Sequence, residues 1–244
     1  MRKKLLLLIF VFLNTIVNTQ NISGKVTYVV SMTPISDKLI DSISNKKGKL
    51  KNAKMNKWMR DMLKNTPNVN AYLEFANGES IYYVEDKMFV DGKAKFNINR
   101  TSAGGDNKTY KNTKTKEYLR ENVRENLLIE LYERKWKITQ ESKQIGSYLC
   151  FKAIDIESTN TKMKPVVWFT PQIPVSFGPK EFTGLPGLVV LVEMYNRTIS
   201  ASKITLNPKE KIKMKKLIKG ERITEEKYNK KMKALWNNLE KKRQ

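Results

Sequence analysis

The 244-residue sequence has few side chains with which to do chemistry. It contains no histidine and one cysteine, Cys150. Without histidine there is no His general base, no Ser-His-Asp triad and no His-ligated zinc. One thiol makes neither an internal disulfide nor a thiolate cage. Cys150 lies in an alternating apolar run, which points to a buried core thiol. Glu181 and Glu193 are the carboxylates best placed to act as a pair, but their spacing fixes no distance between them. Ser147 and Ser176 have no neighbouring base beyond lysine. No GxGxxG, phosphate loop or EF-hand spacing occurs. "TSAGGDN", from Thr101, holds a lone glycine pair and reads as part of a polar loop, Thr101 to Lys108. The sequence therefore assigns no catalytic residue, no metal ligand and no cofactor.

The densest local signal is "FGPKEFTGLPGLVVLVE", Phe177 to Glu193. Leu185-Pro186-Gly187 suits a type II turn, with proline presetting φ and Gly187 supplying positive φ. Gly184 permits another unusual conformation or a close approach. The apolar run from Leu188 is too continuous for a half-exposed strand and predicts cover on both faces. Two readings stand at this point. Gly184, Leu185, Pro186, Gly187 and Leu188 form a tight turn into a buried strand, or the loop is a rigid lip beside a cavity. In the second reading Trp168, Phe177, Phe182, Leu185 and Glu181 are the candidate binding residues. Trp168 and Phe169 point to opposite faces of one strand, so one is core and the other is free to line a pocket.

These residues need elements to hold them, and the hydrophobic pattern supplies strands. Val26, Tyr28 and Val30 alternate. "VNAYLEFANGESIYYVED" reads as a hairpin turning at Asn77-Gly78. A second hairpin turns at Asp91-Gly92. Polar strands follow around Lys111 and Glu117, then "NLLIELYE", then a strand turning near Ser142 into a long strand, Gly146 to Ile156. Strands at Val166–Thr170, Leu188–Tyr195 and Ile199–Leu206 complete the set. Helical spacing occurs twice. Met55, Trp58, Met59, Met62 and Leu63 form one stripe, within Leu50 to Lys64. Tyr228, Met232, Leu235, Trp236 and Leu239 form the other, capped by Thr224, over about residues 224–240. Between them Lys209 to Lys219 alternates weakly, as an edge strand would. The fold class expected is mainly β (α+β). It is a single curved antiparallel sheet or partly open barrel, with an N-terminal helical insertion and a C-terminal helix packed on the domain.

The N-terminus reads "MRKK", then "LLLLIFVFL", then "NTIVNTQ", the pattern of a secretory signal peptide over residues 1–19. Residues 20–244 are then one β-rich domain. Nine apolar residues are too few to span a bilayer, so no stable membrane insertion is expected after cleavage. The chain is expected to be exported, to the periplasm or beyond the cell. Its formal net charge is +23, and residues 203–243 hold 15 basic and 5 acidic side chains. Export argues against nucleic acid as partner. The expected partners are an envelope protein, an apolar ligand, or an anionic glycan or lipid.

"IGSYLCFKA" followed by "VVWFTPQIPVSFGPKEFTGLPGLVVLVE" resembles the GLPGLI family of exported proteins of Bacteroidota, with Val189 at the motif's final position. The resemblance implies an exported β-rich protein of unassigned biochemical function and carries over no catalytic residues. The two readings combined are a non-enzymatic binding or carrier module of the cell envelope. The alternative is a basic structural or adhesive envelope protein that holds anionic glycan or lipid.

Overall fold

The computed structural model describes residues 22–33, 66–86, 89–90, 93–94, 97–157, 164–217 and 219–241. The expected signal peptide and the helical insertion at Leu50 to Lys64 lie outside them. The strands are β1 (Gly24–Met32), β2 (Val69–Ala76), β3 (Glu79–Val84), β4 (Phe89–Val90), β5 (Lys93–Ala94), β6 (Thr109–Asn112) and β7 (Glu117–Asn122). They continue as β8 (Leu127–Glu130), β9 (Trp136–Ile145), β10 (Tyr148–Asp155), β11 (Val166–Thr170), β12 (Leu188–Met194), β13 (Arg197–Leu206) and β14 (Glu221–Thr224). Two helices are described, α1 (Ile98–Ala103) and α2 (Glu225–Lys241).

Twelve strands form one sheet in the order β14-β8-β7-β6-β3-β2-β1-β13-β12-β11-β10-β9, while β4 and β5 pair separately. Every contact in the large sheet is antiparallel except β14 on β8, which is parallel. The protein is thus mainly β, with an open sheet. The sheet is strongly rolled, and covalent geometry shows it. β8 and β9 stand ten strand spacings apart, about 48 Å in a flat sheet. Only Leu131–Lys135 joins them, and six Cα steps reach at most about 21 Å. The edges must therefore approach each other, so that β9 faces the β14–β8 edge across a seam that no strand pairing closes.

Alternation sets the faces. Val26, Tyr28 and Val30 on β1, with Ala71, Leu73 and Phe75 on β2, point into the roll and are buried. The β2–β3 hairpin turns at Asn77 (φ 54°) and Gly78 (φ 84°), the paired positive φ of a type I′ turn. Four local expectations are corrected. The β9–β10 turn falls at Gly146-Ser147, with Gly146 at φ 57°, not at Ser142. β9 is an edge strand whose polar run resembles a turn in sequence. Part of the expected polar loop at Thr101 is helical, as α1. The Asn97 side chain accepts from Arg100 N at 3.1 Å, and Gly104 ends the helix at φ 129°. Lys211–Leu217 is irregular, and the edge strand is β14 instead.

The fourth correction concerns α2. Thr224 Oγ1 accepts from Lys227 N, and Tyr228 packs with Ile223 on Tyr118, Leu127, Ile129 and Leu131. Beyond that turn the helix leaves the domain, with Leu235, Trp236 and Leu239 exposed by 45%, 60% and 50%. No helix among the described residues is long and apolar enough to cross a membrane.

Candidate functional site

The loop between β11 and β12 fills the roll. Ile173, Phe177, Phe182 and Leu185 are buried in the same core as Tyr28, Phe75 and Val189. Backbone bonds fold it onto β12: Leu188 N donates to Ile173 O at 3.0 Å, and Val189 N to Phe177 O at 3.0 Å. Tyr28 Oη donates to Val189 O at 2.6 Å from the facing wall. Opposite edges of the sheet meet on it. Tyr118 of β7 donates its hydroxyl to Lys180 O at 3.2 Å, and Trp136 of β9 donates Nε1–H to Thr183 O at 2.8 Å.

Two glycines of this plug, Gly178 and Gly187, are there for space. A Cβ on Gly178 would sit 2.1 Å from Phe182 O, and one on Gly187 would sit 2.2 Å from Thr170 O. Gly184 adopts φ 88°. Gly187 does not have positive φ, so the expected type II turn is replaced. Gly187 N donates to Leu185 O at 2.8 Å, a three-residue turn centred on Pro186.

Charge is buried along the seam. Lys111 of β6 is 4% exposed at its side chain and bonds Glu133 Oε1 at 2.7 Å and Thr183 Oγ1 at 3.2 Å. Arg134, from the β8–β9 link, pairs with Asp155 and bonds Glu181 Oε1 at 3.2 Å. Its guanidinium lies 5.4 Å over the Phe182 ring. Burial acts to raise the Glu181 pKa, but Lys180, Arg134, its backbone hydrogen bond and Arg120 outweigh it and hold the carboxyl below its ordinary value. Burial likewise works against the Arg134 cation, and Glu181 and Asp155 overcome it, so its pKa rises. Burial first, then the Glu181 charge, pushes the Tyr118 and Tyr82 hydroxyls well above their ordinary value.

Next to this network lies a cavity of about 270 Å³. Its walls come from α1 and the turn after it (Thr101, Ala103, Gly104, Asn107), from β6 to β8 (Thr109, Arg120, Asn122, Ile129) and from the plug (Lys180, Glu181). Tyr228 of α2 and Tyr82 of β3 complete it together with Leu131. Arg120 stacks over the Tyr228 ring at 5.7 Å, and Asn122 Nδ2 donates to Tyr228 Oη at 3.2 Å. Lys180 holds φ 52°, an uncommon conformation for a residue with a side chain. Its Nζ stands 3.7 Å from Glu181 Oε2. Two cations, Arg120 and Lys180, thus face the cavity beside one carboxylate that Arg134 already engages. Among the described residues, no three acidic or cysteine side chains gather as a metal ion would need.

Of the five residues singled out from sequence, Glu181 lines this cavity. Phe177, Phe182 and Leu185 are brought together, inside the core. Trp168 is set apart on the other face of the sheet with Cys150 and Val190. There Trp168 Nε1 donates to Glu193 Oε2 at 2.8 Å, and Lys143 lies 4.0 Å over the ring. Glu193 is therefore remote from Glu181. Sequence reasoning missed Arg120, Lys180 and Asn122. Their only local signal is polarity within or next to runs that also carry tyrosine or phenylalanine.

Residues 156–191 match the model of a family described as a protein of unknown function (Porph_ging). That stretch contains the whole plug. No curated protein matches the chain. Two solved structures of PNGF-II are similar over most of it. One is in a C2 space group (TM-score 0.46, 15% identity, 86% of this chain covered). The other is in a P21 space group (TM-score 0.48, 15% identity, 85% covered). The match takes in 32% of the PNGF-II chain in each case, so this chain spans about a third of the length of those structures.

Proposed function

We propose that the protein is an exported, non-enzymatic module of the cell envelope that binds a negatively charged sugar in the cavity between α1, β7 and the plug. One observation carries this reading: Arg120 and Lys180 face a polar space whose single carboxylate, Glu181, is held by Arg134. A ligand with its own carboxylate would be drawn to the two cations and meet donors rather than repulsion. The volume suits one sugar-sized unit, below the ~300–1,000 Å³ of drug-sized sites. The plug supports a polar ligand over an apolar one, because Phe177, Phe182 and Leu185 occupy the space an apolar cargo would need. Membership of the GLPGLI family of Bacteroidota fits the motif and the matched region, and export fits the N-terminal pattern.

The test is a thermal-shift panel. A ligand at 100 times its Kd adds about 2.7 kcal/mol of stability, which is about 5–11 °C in Tm for a domain of this size. Glucuronate and galacturonate should raise Tm and glucose should not. Equal shifts from acidic and neutral sugars, or none from any, would reject the proposal.

A further inference from the structure

The cavity uses only the base of α2. The outer part of that helix has no partner among the described residues. At about 100° per residue, Leu235, Trp236 and Leu239 fall within about 100° of arc. Lys227, Lys230, Lys231, Lys233 and Lys241 lie outside that arc. Three large apolar side chains therefore stand in solvent on one stripe, and the rest of the helix surface carries five lysines against three glutamates, Glu225, Glu226 and Glu240. From Lys230 to Lys241 there are four lysines and one glutamate, Glu240. Lys231 is tied to Glu125 at 2.7 Å, which fixes the inner half of the helix to the domain and leaves the outer half projecting.

We infer that the outer half of α2 is a docking surface for an anionic lipid bilayer. The charge selects this occupant. A second copy of the chain would set lysine against lysine across an apolar stripe, a repulsive arrangement. An anionic surface would neutralise the lysines while the stripe enters the boundary between headgroups and acyl chains. Tryptophan favours that depth because its ring is amphipathic, and lysines flanking an apolar stripe can extend their stems along it toward the headgroups. The stripe covers little more than one turn, from Leu235 to Leu239, so the contact is shallow and reversible. It would hold the module on a membrane face with its sugar site free.

The experiment uses the full mature chain and co-sedimentation with vesicles of phosphatidylcholine alone or mixed with phosphatidylglycerol. The native protein should bind the mixed vesicles, at least tenfold more weakly the neutral ones, and less as salt is raised. The triple substitution L235S/W236S/L239S alters only exposed side chains, so circular dichroism should be unchanged. It should weaken binding at least tenfold. The double substitution R120A/K180A should leave vesicle binding intact, which separates this inference from the sugar site. Native protein that ignores phosphatidylglycerol overturns the inference. So does a triple variant that binds like native, since charge alone would then suffice. Self-association that the triple variant abolishes, without vesicle binding, would assign the stripe to a second copy and also overturn it.

Discussion

Replacing Gly187 by alanine should destabilise the protein far more than its size suggests. The added Cβ would lie 2.2 Å from Thr170 O, 2.6 Å from Thr170 C and 2.8 Å from Pro171 N. All three are main-chain atoms, so no side chain can swing aside. Either the end of β11 or the plug must move by about 1 Å to restore ordinary contact. Overpacking typically costs about 1–3 kcal/mol, and opposition by main chain alone puts this case at the upper end, about 3 kcal/mol. That is a large share of the ~5–15 kcal/mol of a whole domain, and corresponds to about 6–12 °C in Tm. Urea unfolding followed by circular dichroism gives the free energy, with Pro186→Ala as the control. Pro186 is exposed, and its loss should cost at most about 1 kcal/mol through the unfolded state. If Gly187→Ala stays within about 0.5 kcal/mol of native, the plug is not wedged against β11 and the reasoning fails.

Three other outcomes follow from the packing. Lys111→Met should cost about 1–3 kcal/mol, because Ser176 O and Thr183 Oγ1 lose their donor while the exposed Glu133 stays hydrated; the shift in urea midpoint reports it. Glu181 has its pKa lowered from an ordinary 4.5. The unfolded chain therefore takes up its proton first, and the stability from this group is complete above about pH 4.5 and lost as pH falls below it. Glu181→Gln should flatten that acid limb in pH-dependent unfolding, and an unchanged limb would refute the assignment. Burial pushes the Cys150 thiol up to about 11, only partly opposed by Lys143. At pH 8 the native thiol should react with a disulfide reagent on the order of 100-fold more slowly than the unfolded one; equal rates would contradict its burial.

The strands were legible because local chemistry sets them. Val26, Tyr28 and Val30 alternate on β1, and Asn77-Gly78 supplies the two positive φ values its hairpin needs. The continuous apolar run from Leu188 was also legible. Leu188, Val189 and Val192 meet the plug core on one face, and Val190 meets Trp168 and Cys150 on the other. The site was much less so. Lys111 meets Glu133, Arg134 meets Glu181, and Arg120 shares a cavity with Lys180 only because the sheet rolls until β8 approaches β9. Nothing within a short window encodes that closure. The α2 stripe shows the opposite failure: its spacing was clear from Tyr228 to Leu239, but periodicity does not say how far along a helix the domain extends. Gly187 illustrates a third limit, since Pro-Gly chemistry suits a positive-φ turn while the glycine is required here by the nearby Thr170 carbonyl.

Isothermal titration of glucuronate and glucose into the native chain and into R120A/K180A tests the central claim most directly. Glucuronate should bind the native protein, glucose should bind at least tenfold more weakly, and the double variant should lose at least tenfold in glucuronate affinity while unfolding normally. Glucuronate binding that survives the loss of both cations would contradict the account, as would a native protein that does not distinguish the two sugars.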